Sequence, residues 1–178
     1  VADLEQSGVH TIAITDLHIK SYQRTPSPGY APYESGAAGD HFIRVKDGFY
    51  EGEVWPGASV FPDLTREKTR QWWGGGYRNF VEQGVDGFWN DMNEPALLGK
   101  EKTFPDDVRH RLDDGTTLPH PLVHNAYGML NARATFEGVK RLRPDVRPFI
   151  LTRAAYAGAQ KYAASWTGDN TADRSHLA

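Results

Sequence analysis

At 178 residues the chain is long enough for one domain with a real core. Its 20 basic and 23 acidic residues leave a net charge of −3, which gives no electrostatic footing for nucleic acid or an anionic membrane. No apolar run reaches the roughly 18 residues of a membrane span, and the absence of cysteine excludes a disulfide scaffold and thiolate metal ligation.

In chain order, Val1 to Ser7 reads as the end of a helix closed by Gly8. The sequence opens without methionine or a signal-peptide pattern, so a partial domain is expected. With no cysteine, the lean is to the cytoplasm. Val9 to Thr15 is β-branched and nearly apolar, as for a strand buried on both faces, and it ends in Asp16-Leu17-His18-Ile19-Lys20. A long Gly/Pro/Tyr-rich stretch without helical period follows, an inserted loop of about 21–62. Loops of that length are usually functional, and this one carries Val54-Trp55-Pro56-Gly57 and Phe61-Pro62-Asp63, groups suited to a sugar pocket.

Thr65 to Gln83 is expected to be one helix, with Trp73, Tyr77, Phe80 and Val81 along one stripe. Gly74, Gly75 and Gly76 interrupt it at about 1 kcal/mol each and are expected to kink it. Gly84 ends the helix, and a short strand through Val85, Phe88 and Trp89 runs into Asp91, Asn93 and Glu94 before Pro95 stops it. A second inserted loop of about 96–124 follows, with Asp113-Asp114-Gly115 as a turn. Asn125 is expected to cap a helix reaching about Arg143, stopped by Pro144 and presenting Tyr127, Leu130 and Ala134 on one face. Arg147 to Thr152 forms a strand that delivers Arg153. A short helix over 157–161 leads to a strand from Ala163 to Trp166 that delivers Asp169, and a further helix begins near Asn170.

Strand, loop, helix, strand, with the insertions always after the strand, is the pattern of a (β/α)-barrel whose loops build the active face. Four strands are legible where a closed barrel needs eight, so the expected fold is α/β, about half of a TIM barrel, over residues 1–178 as one partial domain. Asp91 and Asp169 stand at the ends of different strands on the same rim. They can therefore approach each other, as a carboxylate nucleophile or base and a carboxylic acid would have to. The acid of such a pair has to hold its proton near neutrality. Structural readings stand beside these: an acidic turn at Asp91, an ion pair for Arg153 with Asp91 or Asp169, and core packing for the tryptophans. Asp16 with His18, and His120 with His124, are possible metal ligands, but neither set has a third ligand at recognisable spacing, and no metal is expected.

Trp89-Asn90-Asp91-Met92-Asn93-Glu94-Pro95 resembles the nucleophile signature of glycoside hydrolase family 31, the α-glucosidase type. Trp166-Thr167-Gly168-Asp169-Asn170, with Asp169 lying 78 residues beyond Asp91, resembles the acid/base segment of the same family. The resemblance runs along nearly the whole chain. It implies strands three to six of the barrel, Asp91 as nucleophile, Asp169 as general acid/base, and retention of configuration. It further implies that Arg153 binds sugar hydroxyls, that Trp55, Trp89 and Trp166 are aromatic walls, and that Ile14 and Met92 are apolar edges. Asp16 would lie beside the pocket, and Asn93 and Glu94 would orient Asp91. The implied substrate is a terminal α-linked glucose of an oligosaccharide or glucoside, with no cofactor.

The form Asn90-Asp91-Met92-Asn93-Glu94 differs from the Lys-Thr-Asp-Phe-Gly-Glu of the family's α-xylosidases, the nearest rival. Transglucosylation would use the same residues. Leu17 stands where the family usually has proline, and Ala155 where glycine often follows the arginine. Taken alone, the chain could instead be an inactive piece that at most binds sugar, stable by pairing with the missing barrel half or with itself.

Overall fold

The computed structural model describes residues 1–24, 27 and 29–176. The elements, in chain order, are α1 (Ala2–Gln6), β1 (Ile12–Asp16), β2 (Ile19–Lys20), α2 (Ala31–Ala38), β3 (Arg44–Val45), β4 (Gly48–Phe49), β5 (Gly52–Val54) and β6 (Gly57–Val60). They continue with α3 (Glu67–Gly75), α4 (Arg78–Glu82), β7 (Gly87–Asp91), β8 (Arg109–Arg111), β9 (Thr117–Pro119), α5 (His124–Leu142), β10 (Phe149–Thr152) and β11 (Ala164–Ser165). β1, β7, β10 and β11 form one parallel sheet in that spatial order. Parallel neighbours in chain order, joined by crossovers that place helices on one side, are the unit from which a TIM barrel is built. Among the described residues no helix is long and apolar enough to cross a membrane.

Alternation along the strands assigns the two faces. Phe88, Asn90, Ile150 and Thr152 are buried at 2% exposure or less. The apolar pair joins Tyr77, Val85 and Val139 in a core between sheet and helices. The other face carries Ile12, Ile14 and Phe149, which are 50%, 58% and 49% exposed. Ile12, Gly87 and Phe149 are register partners across three strands, as are Ile14, Trp89 and Leu151, so these side chains share a face. The expectation that the first strand is buried on both faces is therefore corrected. Its composition suits a barrel interior, and this chain supplies only the helix side. The strand also begins later than expected, at Ile12, after the Thr11 amide has donated to Asp86 Oδ2 at 2.8 Å.

The predicted helix over 65–83 is two helices, α3 and α4, with Gly76 closing the first. The glycines have separate reasons. A Cβ on Gly74 would come within 2.7 Å of Gly138 Cα, because α3 crosses α5 backbone to backbone at that point. Gly75 faces open space, and nothing in the structure explains it. α5 starts one residue before the predicted cap, and no side chain caps it. At the last strand, only Ala164 and Ser165 enter the ladder. The predicted helix before it is a 3-10 turn, Ala159–Lys161. Near the end of the chain a second 3-10 turn, Arg174–His176, stands where a helix was expected, and 177–178 lie outside the described residues.

Both long insertions are folded, against the expectation of irregular loops. Residues 21–62 contain α2, the β3–β4 hairpin, and β5–β6 completing a three-stranded antiparallel sheet with β2. Residues 96–124 contain the β8–β9 hairpin, whose turn includes Gly115 at φ 86° and is closed by the Thr116 amide donating to Asp114 Oδ1. Short strands in Gly/Pro-rich sequence have too few residues to show a period. The two insertions are bolted together at Asp40, whose carboxylate accepts from Arg44, Arg66 and Arg111 at 2.6, 3.2 and 2.6 Å. Although partial burial opposes it, those bonds, Arg111 foremost, hold the Asp40 carboxyl well below the usual range.

Candidate active site

The carboxyl rim of the parallel sheet gathers the acidic groups. Asp16 and Asp91 are register partners at the ends of β1 and β7, and Arg153 follows β10 directly. Arg153 Nη1 lies 3.1 Å from Asp91 Oδ1 and 3.3 Å from Asp169 Oδ2. Two contacts to one nitrogen hold those carboxylate oxygens within about 6.4 Å of each other, a ceiling that admits the spacing of about 5–5.5 Å of a retaining pair. Glu94 grips the other edge of the guanidinium in a fork, Nε to Oε1 at 2.8 Å and Nη2 to Oε2 at 3.1 Å. Met92 Sδ accepts from Nη2 at 3.1 Å. Such a bidentate clamp fixes orientation as well as charge, and its hydrogen bonds raise the pKa of Arg153 further.

Asp91 also accepts from the Met92 amide at 2.8 Å. Met92 itself has φ 56°, a left-handed conformation uncommon for a side chain of its kind. That turn folds Met92 back into a site where it is 6% exposed. Asp169 differs sharply from Asp91, with its side chain 86% exposed against 22%. Gly168, at φ 87°, makes the bend that brings Asp169 back to Arg153. Asp16 is pushed up from the usual carboxylate range by burial and then by the Asp91 charge, with Arg153 opposing.

Trp89 and Trp166 meet edge to face, centroids 5.1 Å apart at 86°, which brings two of the three predicted tryptophans together, with Trp89 two residues before Asp91 on the same strand. Trp55 is 65% exposed at the tip of the β5–β6 turn, so core packing is not its role. Among the described residues it makes no ring contact with the other two. Ile14 lies beside Trp89 on the bare face. Asn93 is fully buried. Its side chain donates to Asn131 Oδ1 and Thr152 Oγ1 and accepts from the Ala154 amide.

The histidines are occupied with one another. His110 Nε2 meets His120 Nδ1 at 3.0 Å, and His120 Nε2 meets His124 Nδ1 at 2.9 Å, with His110 Nδ1 3.4 Å from the fully buried Asp63. His18 Nε2 lies 3.6 Å from Asp16 Oδ2, and burial pushes His18 down to about 4. Among the described residues no cluster of three or more His, Asp or Glu could hold a metal ion.

Sequence reasoning missed Tyr77, Asn90, Thr15 and Thr135, which are joined by buried hydrogen bonds beneath Asp91. One signal was available. Asn90 has the same strand parity as Phe88, so a polar side chain had to be buried there and needed partners.

Comparison with known proteins agrees with the fold. The family model for the glycosyl hydrolases family 31 TIM-barrel domain matches residues 1–178. The chain is 43% identical to alpha-glucosidase 2 of Bacillus thermoamyloliquefaciens over 178 residues, covering 99% of this chain and 22% of that protein. It is 38% identical to an alpha-glucosidase of Saccharolobus solfataricus, covering 96% of this chain and 26% of that one. Among solved structures it resembles the ER glucosidase II complex of catalytic subunit and regulatory-subunit binding domain, with a TM-score of 0.83 and 37% identity over 99% of this chain and 19% of that chain. A Flavobacterium johnsoniae dextranase complexed with glucose gives a TM-score of 0.79 at 30% identity, over 96% of this chain and 20% of that one. The chain thus spans about a quarter or less of the proteins it matches. Over its whole length it is part of the TIM-barrel domain of glycoside hydrolase family 31, and it belongs to that family.

Proposed function

We propose that the protein carrying this chain is a retaining α-glucosidase that releases α-linked glucose from the non-reducing end of oligosaccharides. The observation that carries the reading is the single guanidinium, Arg153, whose Nη1 lies in ion-pair contact with Asp91 and Asp169 at once at the carboxyl rim of a barrel sheet. In the first step an Asp91 oxygen attacks the anomeric carbon while the Asp169 proton passes to the departing glycosidic oxygen. Asp169, now a carboxylate, then takes a proton from water, which attacks the same carbon, releases α-glucose and returns Asp91 to its free form. Low exposure and a fixed bond to Arg153 suit Asp91 to be the group held in place. High exposure suits Asp169 to exchange protons with leaving group and water. Trp89 and Trp166 supply an apolar wall for the sugar ring, with Met92, Ile14 and Trp55 as further edges. Glu94 and Asn93 hold Arg153 and the turn after Asp91.

The glucosidase form of the Asp91 segment and the alpha-glucosidase relatives favour glucose over xylose. Following hydrolysis of an aryl α-glucoside by proton NMR tests this reading. α-Glucose is expected as the first product. β-Glucose first would mean inversion, and faster turnover of the matching α-xyloside would favour the rival substrate.

A second reading concerns this chain by itself. Ile12, Ile14 and Phe149 lie half open on the inner face, and four strands cannot surround a sugar. Alone, the chain is expected to bind sugar weakly and to turn nothing over. It would gain its full site only from the rest of the barrel, and its bare face favours self-association. Size-exclusion at two concentrations, with turnover measured in the same fractions, separates these states.

A further inference from the structure

Behind the rim, on the helix side of the sheet, one buried hydrogen-bonded network reaches both flanks of Asp91 and both flanks of Arg153. Its centre is the Tyr77 hydroxyl, in contact with Thr15, Trp73, Asn90 and Thr135 at 3.3, 3.2, 3.2 and 3.0 Å. Tyr77, Asn90, Asn93, Asn131, Thr135 and Thr152 are all 3% exposed or less.

The protons can be assigned from donor and acceptor capacity. Trp73 Nε1 and Asn90 Nδ2 can only donate, so they fill both lone pairs of the Tyr77 oxygen. The Thr135 hydroxyl donates to Asn131 O at 3.0 Å, so it accepts the Tyr77 proton. The second Asn90 Nδ2 hydrogen goes to Thr15 Oγ1 at 3.0 Å, and Thr15 in turn faces Trp89 O. From Asn131 the network continues, its Oδ1 accepting from Asn93 Nδ2 at 3.1 Å. The other Asn93 hydrogen goes to Thr152 Oγ1 at 2.9 Å, which donates to Ala154 O at 3.0 Å, and the Ala154 amide returns to Asn93 Oδ1 at 3.1 Å. The Arg153 amide donates to Asn90 O at 3.2 Å. Apart from the 3.3 Å Thr15–Tyr77 contact, which is left without a proton, every link has one direction, and its ends lie on Asn90 and Asn93 around Asp91 and on Thr152 and Ala154 around Arg153.

A fully apolar layer would hold α3 and α5 to the sheet at least as well, since buried polar groups add stability only when satisfied. Among the described residues Asn90 Oδ1 and Asn131 Nδ2 meet no protein partner, a cost that adhesion alone does not call for. What a directional network adds is placement. We infer that Tyr77 and Thr135 are positioning residues for the Asp91–Arg153 pair, acting through Asn90 on one side and through Asn131 and Asn93 on the other. This rests on the proposed glucosidase reading. Neither residue touches substrate. Both set where the two charged groups stand, and a displacement of about 1 Å at a reacting group is enough to cost on the order of 100-fold in rate.

The test compares Thr135→Val, which keeps shape and removes the hydroxyl, with Thr135→Ser, which keeps the hydroxyl, in the complete protein. Thr135→Val is expected to lower kcat on an aryl α-glucoside about 10-fold with KM within about twofold, and Thr135→Ser to restore kcat to within about twofold of the parent. Tyr77→Phe, which keeps the ring, is expected to behave as Thr135→Val does and carries the test if that variant fails to fold. Folded variants with unchanged kcat and only a lowered Tm would overturn the inference. A parent protein without glucosidase activity would overturn the functional reading instead. The network would then be judged from the Arg153 Nε–H NMR resonance, expected to shift in Thr135→Val and not in Thr135→Ser. No shift in either would count against it.

Discussion

The two faces of the four-stranded sheet are built by different rules. On the helix side Phe88 and Ile150 are buried in apolar contacts, while Asn90 and Thr152 are buried in a directional polar network. On the other side Ile12, Ile14 and Phe149 stand half exposed, each with an apolar side chain that would contribute about 1.5–3 kcal/mol if fully buried. The helix face is complete in this chain and fixes the backbone. The inner face is left half open, and the rim where the two meet carries Asp91, Arg153 and Asp169. On the proposed reading, the chain carries the groups that would position Asp91 and only part of the wall that would enclose a sugar.

Four changes sharpen this contrast. The largest effect is expected at the rim, where Asp91→Asn in the complete protein should lower kcat/KM for an α-glucoside on the order of 10⁴-fold or more, read by initial rates. Next, Gly74→Val should break the helix face. Its side chain would have to enter the space held by Gly138 Cα and Ala134 O, and overpacking of this kind costs about 1–3 kcal/mol or more, measurable by urea unfolding.

Ile14→Ser tests the inner face in two settings. In this chain alone it should change stability by no more than about 0.5 kcal/mol, because the residue is already exposed. In the complete protein, with the face covered, the loss should be about 2–4 kcal/mol. Equal losses in both would mean that the face is not covered.

The last expected effect is a pH dependence. Burial pushes His18, His41 and His120 down to about 4, so they stay neutral in the folded chain while the unfolded chain protonates them near 6.5. The stability they contribute is therefore full above about pH 6.5 and is lost as pH falls toward 4. Asp16, with its pKa raised by burial and by Asp91, takes up its proton first in the folded state and works in the opposite direction. Urea midpoints are expected to be lower at pH 5 than at pH 7.5, and equal midpoints would show that these rings are not held neutral.

The strands and the rim were legible because β1, β7 and β10 are rich in β-branched and aromatic residues, and because Asp91, Arg153 and Asp169 stand at or shortly after strand ends. The insertions were not, since two-residue strands such as Arg44–Val45 carry no period and Gly/Pro content reads as loop. The single helix expected over 65–83 breaks at Gly76, and the reason for Gly74 was hidden because it serves a helix crossing with Gly138, 64 positions away, that no local pattern contains. The network beneath Asp91 was hidden for the same reason. Tyr77 read as one more residue of an apolar stripe, and its hydroxyl finds partners only once β1, β7 and α5 are assembled around it.

The central claim, that Asp91 forms a glycosyl ester, is tested most directly by mass spectrometry of the complete protein after incubation with a fluorinated α-glucosyl fluoride that traps the intermediate. The account predicts a sugar adduct on the peptide containing Asp91, absent from Asp91→Asn. An adduct on another carboxylate, or none in a folded and active protein, would contradict it.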